Sequence, residues 1–164
     1  MELGADDETL EFPWAADADG HCYSDLKRHP ELLAQVEEAQ RVPELGEFLT
    51  AMNAASSILE TAKCDAWASS EISAEEEIFE AASKFGSYVD LLCSAKELRF
   101  SFPAHEQLVQ RLTQLLKRVP EIPAAAEFLI RRCYFHQGTE TRDGFYITFY
   151  LFGYADGTPV QKSN

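Results

Sequence analysis

The sequence predicts an α+β fold: a two-layer sandwich in which helices cover one face of a four-stranded antiparallel sheet. Three observations carry this expectation. The run Gly144–Phe152 (GFYITFYLF) is β-branched, aromatic or aliphatic after its first glycine, which marks a strand. Residues 102–118 place Leu108, Val109, Leu112, Leu115, Leu116 and Val119 on one wide apolar stripe, which marks an amphipathic helix. Segments of these two kinds follow one another as α-β-β-α-β-β, and the second half echoes the first.

At 164 residues the chain has the length of one domain. We assign it to residues 24–155, with an acidic irregular arm at 1–23 and a polar tail at 156–164. The formal charge is −14, and residues 1–22 hold seven acids with no Lys or Arg. Phosphate binding needs clustered cations, so nucleic acid is excluded as a partner, and anionic membrane surfaces with it. The first residues lack a basic segment followed by an apolar run, and no stretch is apolar for the length of a membrane span; neither leader nor anchor is expected. Cys22, Cys64, Cys93 and Cys133 are far apart and never form CxxC. That spacing fits free thiols in a reducing, cytoplasmic compartment.

Taken in order, the arm is expected to be pinned by Phe12 and Trp14. Pro30-Glu31 opens a helix whose buried stripe is Leu32, Leu33, Val36 and Ala39, since proline is tolerated in a first turn and an acid suits the positive end of the dipole. Arg41-Val42-Pro43 breaks it. A short second helix carries Leu45, Phe48, Leu49 and Met52 and ends at Asn53. Residues 57–68 alternate as a strand. Residues 70–82 fit either a helix behind the capping box Ser73–Glu76 or a lead into the next strand, 84–94. Leu98, Phe100 and Phe102 alternate and form a candidate fifth strand. Ser101 caps the long helix and Pro120 stops it. A strand at 127–136, the loop 137–144 and the run at 144–152 complete a hairpin.

The two halves match in order. Arg41-Val-Pro-Glu-Leu45 answers Arg118-Val-Pro-Glu-Ile122, Lys63-Cys64-x-x-Trp67 answers Arg132-Cys133-x-x-His136, and Gly86-x-Tyr-Val answers Gly144-x-Tyr-Ile. His29-Pro-Glu and His105-Glu stand at corresponding helix starts. The expectation is a tandem α-β-β duplication, repeat 1 at 24–94 and repeat 2 at 101–153, with pseudo-two-fold symmetry.

Alternation then sorts the strands into faces. Ala62, Cys64, Ala66, Val89, Leu91, Cys93, Leu129, Cys133, Phe135, Phe145, Ile147, Phe149 and Leu151 are assigned to the helices. The opposite face collects Thr61, Lys63, Asp65, Trp67, Tyr88, Asp90, Arg132, Tyr134, His136, Tyr146, Thr148 and Tyr150. Aromatic rings with polar tips beside both signs of charge are the chemistry of a binding surface, although solvated sheets also carry Tyr, Thr, Lys and Asp as cross-strand pairs.

The expected function is therefore a non-catalytic binding or interaction protein that uses this face, first for self-association as a homodimer. The alternative is a small-molecule site or enzyme between the repeats, with His136 and Asp65 or Asp90 as a general-base pair and Arg132 or Lys63 holding an anion. There is no nucleophile elbow, phosphate loop or HExxH, so no catalytic residue and no cofactor is assigned. Cys133 and His136, three apart on a strand, point to opposite faces, and no metal is assigned. His29 and His105 are expected to be capping or surface residues.

Overall fold

The computed structural model describes residues 10–14, 23–70 and 83–155. The helix-or-strand alternatives at 71–82 and the His21-Cys22 pair lie outside them. The fold is α+β, built on a curled, mixed five-stranded sheet. Its strands are β1 (Leu10–Phe12), β2 (Leu59–Ser69), β3 (Ser83–Cys93), β4 (Ala124–Gln137) and β5 (Glu140–Ala155), in the order β1-β4-β5-β3-β2. All pairings are antiparallel except β1 with β4, where Leu10 lies beside Cys133 and Phe12 beside Phe135 in parallel. The expected all-antiparallel sheet is thus corrected to a mixed one. The extra strand comes from the acidic arm. Residues 96–100 instead form a 3-10 turn that exposes Leu98 and buries Arg99.

The helical layer differs in one place. The segment from Pro30 is a 3-10 turn to Gln35, then α1 (Glu37–Arg41), because Val36 between them is extended. Helix α2 (Pro43–Met52) follows, and Asn53 ends it as expected. The Asn53 amide donates to the Leu49 carbonyl and to Thr61 Oγ1, and its oxygen accepts from the Thr61 N–H at 3.0 Å. Helix α3 (Phe102–Leu116) is capped by Ser101, whose hydroxyl accepts from the Ala104 N–H. These helices pack on one face of the sheet around Leu45, Leu49, Leu108, Val109, Val89, Leu91, Ile130, Ile147 and Phe149.

The second face carries its own core. Leu10, Phe12, Leu92, Cys133, Phe135 and Tyr146 are buried there, with Trp14, Tyr23, Ala62 and Phe100 packed around them. At its centre Arg99, 6 % exposed, places its guanidinium against the adjoining rings of Phe12 and Phe135, at 5.3 and 5.2 Å. Its Nη2 meets Glu60 Oε1 at 3.0 Å and its Nε donates to the Cys93 carbonyl at 2.8 Å. Glu60 is itself only 1 % exposed.

Register fixes the faces. Phe128 pairs with Phe149, Ile130 with Ile147 and Arg132 with Phe145, all on the helix side. Leu129, Arg131, Cys133 and Phe135 therefore lie opposite, beside Thr148, Tyr146, Gly144 and Arg142. The expected orientation of β4 is reversed. The cause is that β4 is apolar at both parities: Phe128 and Ile130 fill one core, Cys133 and Phe135 the other. In β2, a register shift between Thr61 and Cys64 turns Thr61 toward α2 and Ala62 to the second core. Cys64 and Ala66 keep the expected face.

Two glycines are built into this packing. A Cβ on Gly86 would stand 2.6 Å from the Trp67 ring. One on Gly144 would stand 2.6 Å from both the Arg99 carbonyl and the Phe135 ring. Trp67 can swing outward but the Arg99 backbone cannot, so Gly144→Ala should cost more than Gly86→Ala, roughly 3 against 1 kcal/mol. Urea denaturation checks the order. Arg99→Met leaves the buried Glu60 with only the half-exposed Arg28, 4.0 Å away, and should cost about 3 kcal/mol, while Glu60→Leu together with Arg99→Met should recover most of it.

Candidate functional site

The second face divides into a covered end and an open end. At the covered end β1, Trp14, Tyr23 and the 96–100 turn lie over β4, β5 and the start of β2. At the open end four half-exposed rings run across three strands: Trp67 from β2, Tyr88 from β3, and Tyr150 and Phe152 from β5. Cross-strand pairing sets their order, with Trp67 beside Gly86 and Tyr88 beside Tyr150. Centroid separations are 6.4 Å for Trp67–Tyr88, 5.9 Å for Tyr88–Tyr150, 6.3 Å for the stacked Tyr150–Phe152 and 6.2 Å for Trp67–Phe152. Gly86 lets the indole lie on the backbone and closes this four-ring cycle. Polar groups rim it. The Lys84 ammonium sits 5.5 Å over Phe152, and Arg131 Nη2 donates to the Tyr150 hydroxyl at 3.0 Å. Asp65, exposed, lies 3.7 Å from Arg41.

Between the two ends sits Asp90, paired across the strands with Thr148. The Thr148 hydroxyl donates to Asp90 Oδ1 at 2.7 Å, and both residues are buried. Burial pushes the Asp90 carboxyl up to about 7, against the opposing pull of the Thr148 hydrogen bond and the Lys63 ammonium. The Lys63 ammonium lies 5.2 Å over the Trp14 ring. Burial also raises the phenols of Tyr88 and Tyr146, with the Asp90 charge as a further cause.

Of the residues the sequence assigned to this face, Lys63, Asp65, Trp67, Tyr88, Asp90, Tyr146, Thr148 and Tyr150 lie on it. Tyr146 and Thr148 are buried rather than displayed. Arg132, Tyr134 and His136 lie on the opposite face, for the register reason given above. His136 Nδ1 is 3.2 Å from Thr141 Oγ1 near the β4–β5 turn. The pairing runs Asp65–Tyr88–Tyr150–Glu127, so on β4 the level of Asp65 is nine residues from His136, about 30 Å along the strand. No His136–Asp65 or His136–Asp90 base pair is formed. Arg132 instead lines a cleft of about 310 Å³ on the helix side with Phe102, Asp143, Gly144 and Phe145.

One nucleophile-and-base pair was not legible in the sequence. His105, expected near the surface, is fully buried, with Nε2 3.8 Å from Cys93 Sγ and Nδ1 2.7 Å from the Ser101 carbonyl. Nδ1 donates to the Ser101 carbonyl, and Nε2 lies beside the thiol. Burial pushes the Cys93 thiol up and the imidazole down, which holds the pair neutral, the reverse of an activated thiolate. Burial pushes Cys64 and Cys133 up to about 12 as well. Among the described residues no three His, Cys, Asp or Glu side chains gather to hold a metal ion, and no helix is long and apolar enough to cross a membrane.

No protein-family model, curated protein or solved structure matches this chain.

The position of Asp90 sets a pH dependence. Its folded-state carboxyl titrates near 7, above the ordinary value of 3.8, so the folded state binds a proton that the unfolded state lacks between those limits. Stability should fall as pH rises through that window, by up to about 4 kcal/mol, and level off above it. Asp90→Asn should remove this slope, as chemical denaturation from pH 4.5 to pH 8 (about the span of the window) would show.

Proposed function

We propose that this chain is a non-catalytic binding protein that seats a protein partner on the open aromatic end of its second sheet face. The observation that carries the reading is the ring cycle of Trp67, Tyr88, Tyr150 and Phe152, half-exposed and contiguous across three strands. Rigid aromatic rings at the centre with charged groups at the rim are what concentrates binding energy in protein interfaces, because the rings lose little conformational freedom on docking. Lys63 and Asp65 on β2, Lys84 on β3 and Glu127 on β4 supply both signs of charge at that rim. The fold also speaks for binding rather than catalysis. The acid and base groups on the second face are either buried at its centre or held apart by the strand order.

The alternative of a ligand or enzyme site centred on His136, Arg132, Asp65 and Asp90 has less support, because these four side chains divide between two faces of the sheet. The internal duplication belongs to the same reading. Gly86–Leu91 and Gly144–Phe149 would be equivalent about an axis through the Asp90–Thr148 pair, and each glycine lies beneath a ring, Trp67 or Phe135. Against it, Cys64 and Cys133 lie on opposite faces, so that sequence match is not a structural one.

A photo-crosslinking residue at Tyr150, set against one at the exposed Gln110 of α3, is the test. It should capture a protein that the Gln110 probe does not. The purified partner should then bind the wild type directly and lose roughly 30-fold or more in affinity with Trp67→Ser or Tyr88→Ser. Equal capture at both positions, or equal affinity for wild type and variants, would sink the reading.

A further inference from the structure

Strand β2 is interrupted where it passes the buried acid. Thr61 pairs with Leu91 and Cys64 with Val89, so Ala62 and Lys63 of β2 stand together opposite the one residue Asp90. Ala62 packs into the second core, and the extra residue turns the Lys63 side chain onto the same face. A cation is thereby set across the ladder from a carboxyl, at the separation where cross-strand charges interact.

Lys63 and Asp90 nevertheless form no ion pair in the structure. The Lys63 ammonium lies over the Trp14 ring instead, 5.2 Å from its centroid. Trp14 meets the Tyr23 ring at 5.2 Å and Tyr23 meets Phe12 of β1 at 4.6 Å, so the ammonium rests on the outer end of a row of rings that leads into the arm. Among the described residues Asp90 accepts one hydrogen bond, from the Thr148 hydroxyl, and it is 5 % exposed. One neutral donor does not replace the water that a carboxylate loses on burial, so this arrangement suits the protonated acid. Groups from every neighbouring strand face it. Tyr88 of β3 and Tyr146 of β5 are phenols that burial pushes up and keeps neutral. Tyr150 of β5 accepts from Arg131 of β4, and Arg99 is held by Glu60. The thiols of Cys64 on β2 and Cys133 on β4 are pushed up to about 12.

We propose that Lys63 is a proton-operated latch between Asp90 and Trp14. With the carboxyl protonated, the ammonium stays on the indole and holds Trp14 against the sheet. When the carboxyl gives its proton to water, the new charge draws the ammonium across the bulge into an ion pair, and Trp14 is released. Lys63 is exposed and its four-carbon stem is flexible, so it turns between the two positions without unpacking the core. Its field already reaches the carboxyl in the docked position. The coupling is reciprocal: if proton loss weakens the Trp14 contact, removal of the Trp14 ring must favour proton loss. The latch is independent of any partner at the aromatic end.

Fluorine-labelled tryptophan in the full-length chain gives separate NMR resonances for Trp14 and Trp67, the two tryptophans of the sequence. The Trp14 resonance should move toward that of a solvated indole as pH rises from about 5 to about 9, with the same midpoint as the Asp90 carboxyl followed by NMR. Asp90→Asn should hold it at its low-pH position, and Lys63→Met should remove its pH dependence. The reciprocal effect separates a latch from a fold that merely loosens with pH. Trp14→Leu should lower the Asp90 midpoint by about 0.5 pH or more, whereas Lys63→Met should raise it. A Trp14 resonance that ignores pH while Asp90 titrates overturns the proposal, as does an Asp90 carboxyl already ionised at about pH 5. So does a Trp14 titration that persists in Asp90→Asn, or an Asp90 midpoint that Trp14→Leu leaves unchanged.

Discussion

The second face of this sheet is organised by one ion pair, Arg99 with Glu60. Charged side chains of this type are almost never fully buried unless they are paired and hydrogen-bonded. Here the guanidinium is hydrogen-bonded by Glu60 and the Cys93 carbonyl and packs against the adjoining rings of Phe12 and Phe135. The four partners come from β1, β2, the end of β3 and β4. A single cation therefore ties the arm, the 96–100 turn and three strands of the main sheet into one cluster. Its ring contacts carry β1 onto β4, and β1 in turn closes the last three apolar positions of that strand.

The consequences reach the rest of the molecule. Because Arg99 and β1 fill one end of the second face, Tyr146 becomes core while Tyr88 and Tyr150 do not. Asp90 sits at the boundary, where enough packing surrounds its carboxyl to raise it but Lys63 still reaches it with its field. The covered core and the displayed rings both follow from where Arg99 and β1 lie on the second face.

Much of the fold is legible in the sequence. Strands β2, β3 and β5 and helix α3 follow from alternation, glycine placement and the Ser101–Pro103 start, and the α-over-sheet arrangement follows from their order. The reversed face of β4 has one physical origin. Alternation assigns faces only when one face is wet, and in β4 both are dry: Phe128 and Ile130 against Cys133 and Phe135. The choice of the wrong parity carried Arg132, Tyr134 and His136 to the wrong side. The clue lay in Leu98-Arg99-Phe100, where a charge between apolar residues marks a buried ion pair as readily as a solvated strand, and Glu60 is its complement. The bulge in β2 and the parallel arm strand leave no periodic signal. The Cys93–His105 contact joins residues of β3 and α3 that only the tertiary fold brings together.

If Arg99 holds the arm to the sheet, its loss should open that region before the rest. The most direct measurement is native-state amide hydrogen exchange at Phe12 and Tyr134, read against Val89 and Ile147 at the sheet centre, in the wild type and in Arg99→Met. The account predicts that the variant accelerates exchange at Phe12 and Tyr134 well beyond any change at Val89 and Ile147. Equal acceleration at all four amides, or unchanged exchange at Phe12 and Tyr134, would contradict it.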